Sequence, residues 1–234
     1  MAYYLPRIQI DCPYDDEERN CFKEDLGQRY LAFALDDAPI PQILSGLDLT
    51  ILSEYCLRLT DVTDNQSHIR IPKTFYRKDQ WPYYTPQQHM RPFIEIFEGI
   101  YASILRSTHL MPPLEQLDEM LAFLAAFRIL GMAAQADQTE TIIHLRLQGN
   151  RGLRVQEMKA MWSFINNPHS MILKDGQTTS FTNNSQIEWH FINNLRKISL
   201  IAWEGNDDDY AEVQRFIKSQ PKFREFWKQN NLAS

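Results

Sequence analysis

Glycine is scarce in this chain, with 8 among 234 residues, and cysteine is scarcer, with 3. The few glycines form neither GxGxxG nor GxxxxGKS/T, so the backbone cradles that such loops offer to nucleotide phosphates are missing. GxSxG and HExxH are absent too, which removes the nucleophile elbow and the paired histidines of a zinc protease helix. The six histidines, at 68, 89, 109, 144, 169 and 190, never fall at metal-ligand spacing. His109 and His144 each stand alone beside apolar residues and read as ordinary core or surface histidines. No metal site and no cofactor is expected from these residues.

Two further absences bear on location. Cys12, Cys21 and Cys56 are an odd set with no CxxC pair, which suits free thiols in a reducing compartment. Cys56 lies on an apolar helical stripe and reads as a small core residue. The N-terminus, MAYYLPRIQIDCPYDDEE, lacks the basic-then-apolar pattern of a secretory signal. The expectation is a cytoplasmic protein. A membrane span needs about 20 consecutive apolar residues. The most apolar stretch, around Met120–Ala134, is shorter and carries Arg128. Basic charge is also lacking: the formal net charge is −6, which disfavours a dominant nucleic-acid or anionic-membrane surface.

Hydrophobic residues make up 44% of the chain and charged ones 23%, ample for a core. The organising segment is PPLEQLDEMLAFLAAFRILGMAAQA, residues 112–136. Leu117, Met120, Leu121, Leu124, Phe127 and Leu130 recur at helical spacing, and apolar residues fill the other faces too. That pattern predicts a buried central helix over about 113–135, with Pro113 at its first position and acids in its first turns. Arg128 must then snorkel out or meet a carboxylate, because an unpaired buried charge is costly.

Before that segment, Asp15 or Asp16 caps a helix whose stripe is Phe22, Leu26, Tyr30 and Phe33. A second helix is predicted from about Pro41 to Leu59, with Gly46 as a weak point. His68–Ile71 alternates like a short strand. A capping box from Thr85 to Gln88 opens a helix burying Phe93, Phe97, Ile100 and Ile104. After the central segment, Thr141–Leu147 alternates with Ile143, Leu145 and Leu147 on one face and predicts a strand. Helices follow at Val155–Ile165, after Ser185, after Asn206 and from Pro221. Between the first two, extended runs flank Asp175-Gly176, a tight-turn hairpin signal. Asp207-Asp208-Asp209 offers oxygen ligands for a hard cation, but acids are also what a helix start prefers.

The predicted fold is therefore mainly α: a single α-rich domain over 1–234, built on the central helix, with a small antiparallel hairpin in its second half. A weaker division falls between a helical part, 1–136, and a mixed part, 137–234.

Two groups of residues suggest binding. The irregular segment 74–85, TFYRKDQWPYYT, combines Phe75, Tyr76, Trp81, Tyr83 and Tyr84 with Arg77 and Lys78. Trp, Tyr and Arg are typical interface anchors, and the same flat faces also stack bases. Arg146, Arg151 and Arg154 form the best local basic cluster. There the predicted order of helix, strand, helix and hairpin resembles a winged-helix module, with one helix where a recognition pair is expected. The leading expectation is a non-catalytic, cytoplasmic protein–protein interaction protein, an adaptor or an assembly subunit. Next comes a nucleic-acid-binding protein using the second half. Third is an enzyme whose residues converge only in three dimensions.

Overall fold

The computed structural model describes residues 6–35, 41–71, 86–148, 153–166, 170–172, 178–180, 185–201 and 207–230. In chain order these form β1 (Gln9–Asp11), α1 (Asp16–Asp25), β2 (Tyr30–Leu35), β3 (Gln42–Ser45), α2 (Leu49–Tyr55), β4 (Ile69–Ile71), α3 (Pro86–Arg106) and β5 (Thr108–Leu110). They continue with α4 (Leu117–Leu130), α5 (Ala133–Gln148), α6 (Val155–Asn166), β6 (Ser170–Ile172), β7 (Thr178–Ser180), α7 (Ser185–Ile201), α8 (Asp207–Ser219) and α9 (Pro221–Gln229). The fold is mainly α, as the periodicity predicts. No helix among the described residues is long and apolar enough to cross a membrane.

The central helix is α4, and its burial is as complete as its composition demands. Leu117, Met120, Leu121, Phe123, Leu124, Phe127 and Leu130 are all fully buried. It is shorter than predicted at both ends. Pro113 precedes it, and Gly131 closes it in the left-handed region at φ 77°. The Gly131 N–H turns back to the Arg128 and Phe127 carbonyls, so α5 begins only two residues later, at Ala133. A Cβ on Gly131 would stand 2.8 Å from the backbone nitrogen of Arg58, so glycine is required for space as well as for φ. Arg128 meets a carboxylate as expected, pairing with Glu140 across the α4–α5 contact.

Three predicted elements are corrected. Residues 141–147 are not a strand but the second half of α5. Ala136, Thr139, Ile143 and Leu147 recur at three- and four-residue steps and are buried against the helical core, whereas Leu145, placed inward by the alternating reading, is 46% exposed. The β-branched run satisfies both periods, and packing along α4 decides for helix.

The helix predicted through Phe33 stops at Asp25 and is followed by a short 3₁₀ turn, Leu26–Gln28. Tyr30–Leu35 then forms the middle strand of a sheet, antiparallel to β3 and parallel to β4. Leu31 and Phe33 point inward, Phe33 in edge contact with Phe97 at 5.4 Å between ring centroids, while Tyr30 is exposed. The predicted Pro41–Leu59 helix divides at Gly46, whose φ is 88° and whose Cβ would strike the Tyr101 ring at 2.5 Å. β3 lies before this break and α2 after it, with Asp48 accepting the Ile51 N–H at 2.9 Å as the cap of α2.

Other local signals hold. Asp15 and Glu18 form a reciprocal capping box on α1. Ile69–Ile71 is a strand, and the helices at α3, α6, α7, α8 and α9 stand where their stripes predict. β6 and β7 pair antiparallel with Ser170 opposite Ser180; Asp175 and Gly176 of the predicted turn lie outside the described residues. One buried cluster runs from Ile8 to Trp227. Its later part is aromatic, with Trp162 of α6 set against Phe223 and Phe226 of α9 at 4.8 and 5.1 Å.

Leu124 is the test of this core. Leu124→Asp places an unpaired carboxylate where no water reaches, and Leu124→Ala leaves a cavity costing about 2–5 kcal/mol. Thermal melting should show the aspartate variant unfolded or deeply destabilised at neutral pH. A melting point near the parent's would mean that α4 is not the centre of the fold.

Candidate interaction surface

Of the basic cluster of the sequence, Arg146 is engaged within the fold. Arg146, on α5, donates to the Glu157 carboxylate of α6 at 2.6 Å, and both side chains are nearly buried, at 10% and 12% exposure. The other Glu157 oxygen accepts the backbone N–H of Arg154 at 2.8 Å. Glu157 is thus the third residue of α6 reaching back to the residue before the helix, as in a capping box. Arg154 itself is exposed, and Arg151 lies outside the described residues. The helix–strand–helix order behind the winged-helix comparison is not present, because residues 133–148 are one helix. The aromatic candidates Phe75, Tyr76, Arg77, Trp81, Tyr83 and Tyr84 likewise lie outside the described residues.

The structure brings together a different set. His144 of α5 and His190 of α7 meet with ring centroids 4.9 Å apart and an interplanar angle of 42°. Trp189 contacts the His190 ring edge-on at 4.8 Å. The two histidines are 46 positions apart, so no spacing rule could pair them. Reading 141–147 as a strand also hid the face on which His144 sits.

Register on α7 explains why Trp189 is outside. Ile187, Phe191, Asn194 and Leu195 are buried, and residue 189 lies about 200° around the helix from 187. Trp189 is consequently 60% exposed. Its helical neighbours on that face are the polar Gln186, Asn193 and Arg196 and the half-buried Ile192. Leu145 is the exposed apolar residue of the adjoining α5, next to His144 in sequence.

Asn194 fixes α7 against the end of α5. It is 2% exposed. Its amide donates to the Leu147 carbonyl and to the His190 carbonyl, each at 2.9 Å. Leu147 is one residue from the end of α5, where carbonyls lack intrahelical partners. Asn194 therefore satisfies a helix terminus and aligns the His144–His190 contact one turn earlier.

A second polar group lies elsewhere. The buried Tyr55 hydroxyl shares a hydrogen bond of 2.9 Å with Ser103 Oγ and another with the Cys12 thiol. This chain joins α2 to α3 and to the segment after β1. Burial raises the Tyr55 hydroxyl far above its ordinary value. Tyr55, Ser103 and Cys12 are the members of this group, and none of them is a base or a cation that would activate the thiol as a nucleophile. Among the described residues no three histidine, cysteine or carboxylate side chains converge as metal ligands.

Two measurements follow from this geometry. Asn194→Ala removes the donor and leaves the Leu147 carbonyl buried and unpaired, at a cost of about 1–3 kcal/mol. Chemical denaturation of that variant should show the loss, and an unchanged midpoint would remove Asn194 from its capping role. The second concerns alkaline pH. Burial pushes the Cys56 thiol from 9.0 up to about 12. Burial, then the Glu54 carboxylate, pushes the Tyr14 hydroxyl from 10.0 up to about 12. The unfolded chain releases these protons first, so the stability they represent is full below pH 9 and falls as pH rises toward 12. Cys56→Ala should flatten the upper part of that profile by up to one proton, about 1.4 kcal/mol per pH unit. Parallel profiles for the two proteins would contradict this.

No protein-family model, no curated protein and no solved structure matches this chain.

Proposed function

We propose that this chain is a non-catalytic protein–protein interaction protein, an adaptor or an assembly subunit, that docks a partner through the outer face of α7. The observation carrying this reading is Trp189, 60% exposed on a well-packed helix. Tryptophan is the residue type most enriched among interface hot spots, and such anchors sit within a polar rim that excludes water. Gln186, Asn193 and Arg196 supply that kind of rim here. The fitting partner is a folded protein with an apolar pocket wide enough for an indole, edged by hydrogen-bonding groups. The three thiols are free, which suits a cytoplasmic setting. The aromatic segment 74–85 is proposed as a further contact on its side-chain chemistry alone.

Trp189→Ala is the direct experiment. Removing an exposed anchor should leave the melting temperature almost unchanged while weakening capture of the partner from native cytosol. The expected loss is about 2 kcal/mol or more, roughly thirtyfold in affinity. Equal capture by the parent and the variant would sink the reading. A large fall in melting temperature would assign Trp189 to the fold instead.

A further inference from the structure

We propose that the outer edge of β3 is a strand-addition site, which takes a short, extended, basic segment of a partner chain as the next strand of the sheet. The inference concerns a surface remote in sequence from α7 and does not depend on the reading of Trp189.

It starts from the pleat. β2 and β3 pair antiparallel, with Tyr30 opposite Ser45, Leu31 opposite Leu44, Ala32 opposite Ile43 and Phe33 opposite Gln42. One bond fixes the alternation: the Gly46 N–H donates to the Arg29 carbonyl at 2.9 Å, in the same register. Hydrogen-bonded pairs recur at every second residue of an antiparallel ladder. Leu44 and Gln42 therefore turn their backbone groups toward β2, and Ile43 and Ser45 turn theirs away from the sheet. β3 stands at one end of the strand order β3–β2–β4. Among the described residues, nothing pairs with the outward N–H and C=O groups of Ile43 and Ser45.

Two other strand edges are covered. At β4, the far end of the same sheet, the Arg70 N–H donates to the Val62 carbonyl at 2.6 Å, and Thr63 bridges to Ile69. At β1, two glutamines of α5 stand in for a strand. Gln138 accepts the Gln9 N–H at 2.8 Å, and Gln135 donates to the Gln9 carbonyl at 3.0 Å. An edge left open is ordinarily blunted by a charged side chain. β3, with the sequence QILS, carries none. On its outward face Ile43 is 68% exposed, and Tyr30, diagonal to it on β2, is 62% exposed.

These features define the occupant. A row of N–H and C=O groups beside an apolar face is satisfied by an extended chain, which pairs its backbone with the edge and lays alternate side chains on Ile43 and Tyr30. The segment is short. β3 has four residues, about 13 Å at roughly 3.3 Å each, and it ends at Gly46, which turns at φ 88° against the Tyr101 ring. That length disfavours a second copy of this chain. A stable dimer buries about 800 Å² per partner, and two such edges side by side cover a small part of it. Charge sets the remaining preference. The 3₁₀ turn Leu26–Gln28 touches β3, and beside it Arg29 is shared between Asp25 and Asp48. α1 adds Asp16, Glu17, Glu18 and Glu24 against Arg19 and Lys23. The Ser45 end of the site is thus negative and favours lysine or arginine in the incoming segment.

The experiment uses the full chain and a random dodecapeptide library displayed on phage. Enriched peptides are synthesised and titrated by fluorescence anisotropy. They should alternate β-branched or aromatic residues with polar ones and carry net positive charge. Ile43→Pro is the discriminating variant. Its ring removes an outward N–H and stands in the path of an incoming strand, while the bonds of Gln42 and Leu44 to β2 remain. Affinity for the synthesised peptides should fall about tenfold or more, with the melting temperature almost unchanged. Ser45→Pro repeats the test at the second outward residue. Equal affinity for parent and variants, enrichment of no sequence, or enrichment of acidic peptides would overturn the proposal. A parent that sediments as a dimer beside a monomeric Ile43→Pro would give the edge to a second copy and overturn it likewise. Should both proline variants fail to fold, amide exchange in the parent decides. The Ile43 and Ser45 N–H groups slow on peptide addition if the edge is occupied, and unchanged rates at both refute the site. None of these readouts involves Trp189, so a failure here is separable from a failure of Trp189→Ala to change capture.

Discussion

The arrangement of the second half depends on the reversal at Gly131. α4 is apolar nearly all round and must be enclosed, but its own sequence does not say by what. The left-handed turn at Gly131 supplies the answer locally, because it sends the next sixteen residues back along α4 as α5. The turn is also closed from outside. The Arg58 N–H donates to the Leu130 carbonyl at 3.2 Å, satisfying one end of α4 from the segment after α2. The same nitrogen occupies the space that any side chain at 131 would need. Helix termination, backbone satisfaction and the α4–α5 contact are one constraint here, and the segment after α2 is locked into it.

From that reversal, charged pairs step outward through the helices. Arg128 joins α4 to Glu140 of α5, Arg146 joins α5 to Glu157 of α6, and Lys159 joins α6 to Glu212 of α8. Partly buried pairs of this kind contribute little net stability, since desolvation offsets much of the attraction. Breaking one member is costly, however, because the other is left without a counter-charge. Their effect is to disfavour alternative helix registers. A slip of α5 by one residue would part Arg128 from Glu140 and Arg146 from Glu157 together. It would also separate His144 from His190 and Leu147 from Asn194. The position of α7 is consequently set by contacts that begin at α4.

Much of this was legible in the sequence, and the failures have a common physical cause. The buried central helix, the Asp15 cap, the later amphipathic helices and the β6–β7 pair all rest on local signals: periodicity, side-chain caps and an Asp-Gly dipeptide. Arg128 needed only the cost of an unpaired buried charge to foretell a carboxylate. The errors fall where one run of residues fits two periods. Thr141–Leu147 alternates, yet Thr139, Ile143 and Leu147 also lie one helical turn apart. Leu26, Tyr30 and Phe33 keep helical spacing, although Leu31 and Phe33 equally alternate with Tyr30 and Ala32. In both places the choice belongs to tertiary partners, α4 in the first and the flanking strands in the second. The His144–His190 contact was illegible for a related reason. It depends on where two helices cross, and no spacing within either helix encodes that.

The outward position of Trp189 is imposed by the fold. Ile187, Phe191 and Leu195 occupy the inner face of α7 and are fully buried. Turning Trp189 inward would rotate all three into water, at about 1.5–3 kcal/mol each, against a similar gain for one indole. The helix register therefore forces residue 189 outward whatever side chain it carries. Lysine or glutamine there would satisfy the same helix and dissolve better, and the same face carries polar residues at Gln186, Asn193 and Arg196. Among the described residues, the ring contact that this large apolar side chain makes is its edge contact with His190. What it does supply is a rigid contact area presented to the outside, set against the His190 ring. In the proposed role, affinity for a partner would arise from this one helix face.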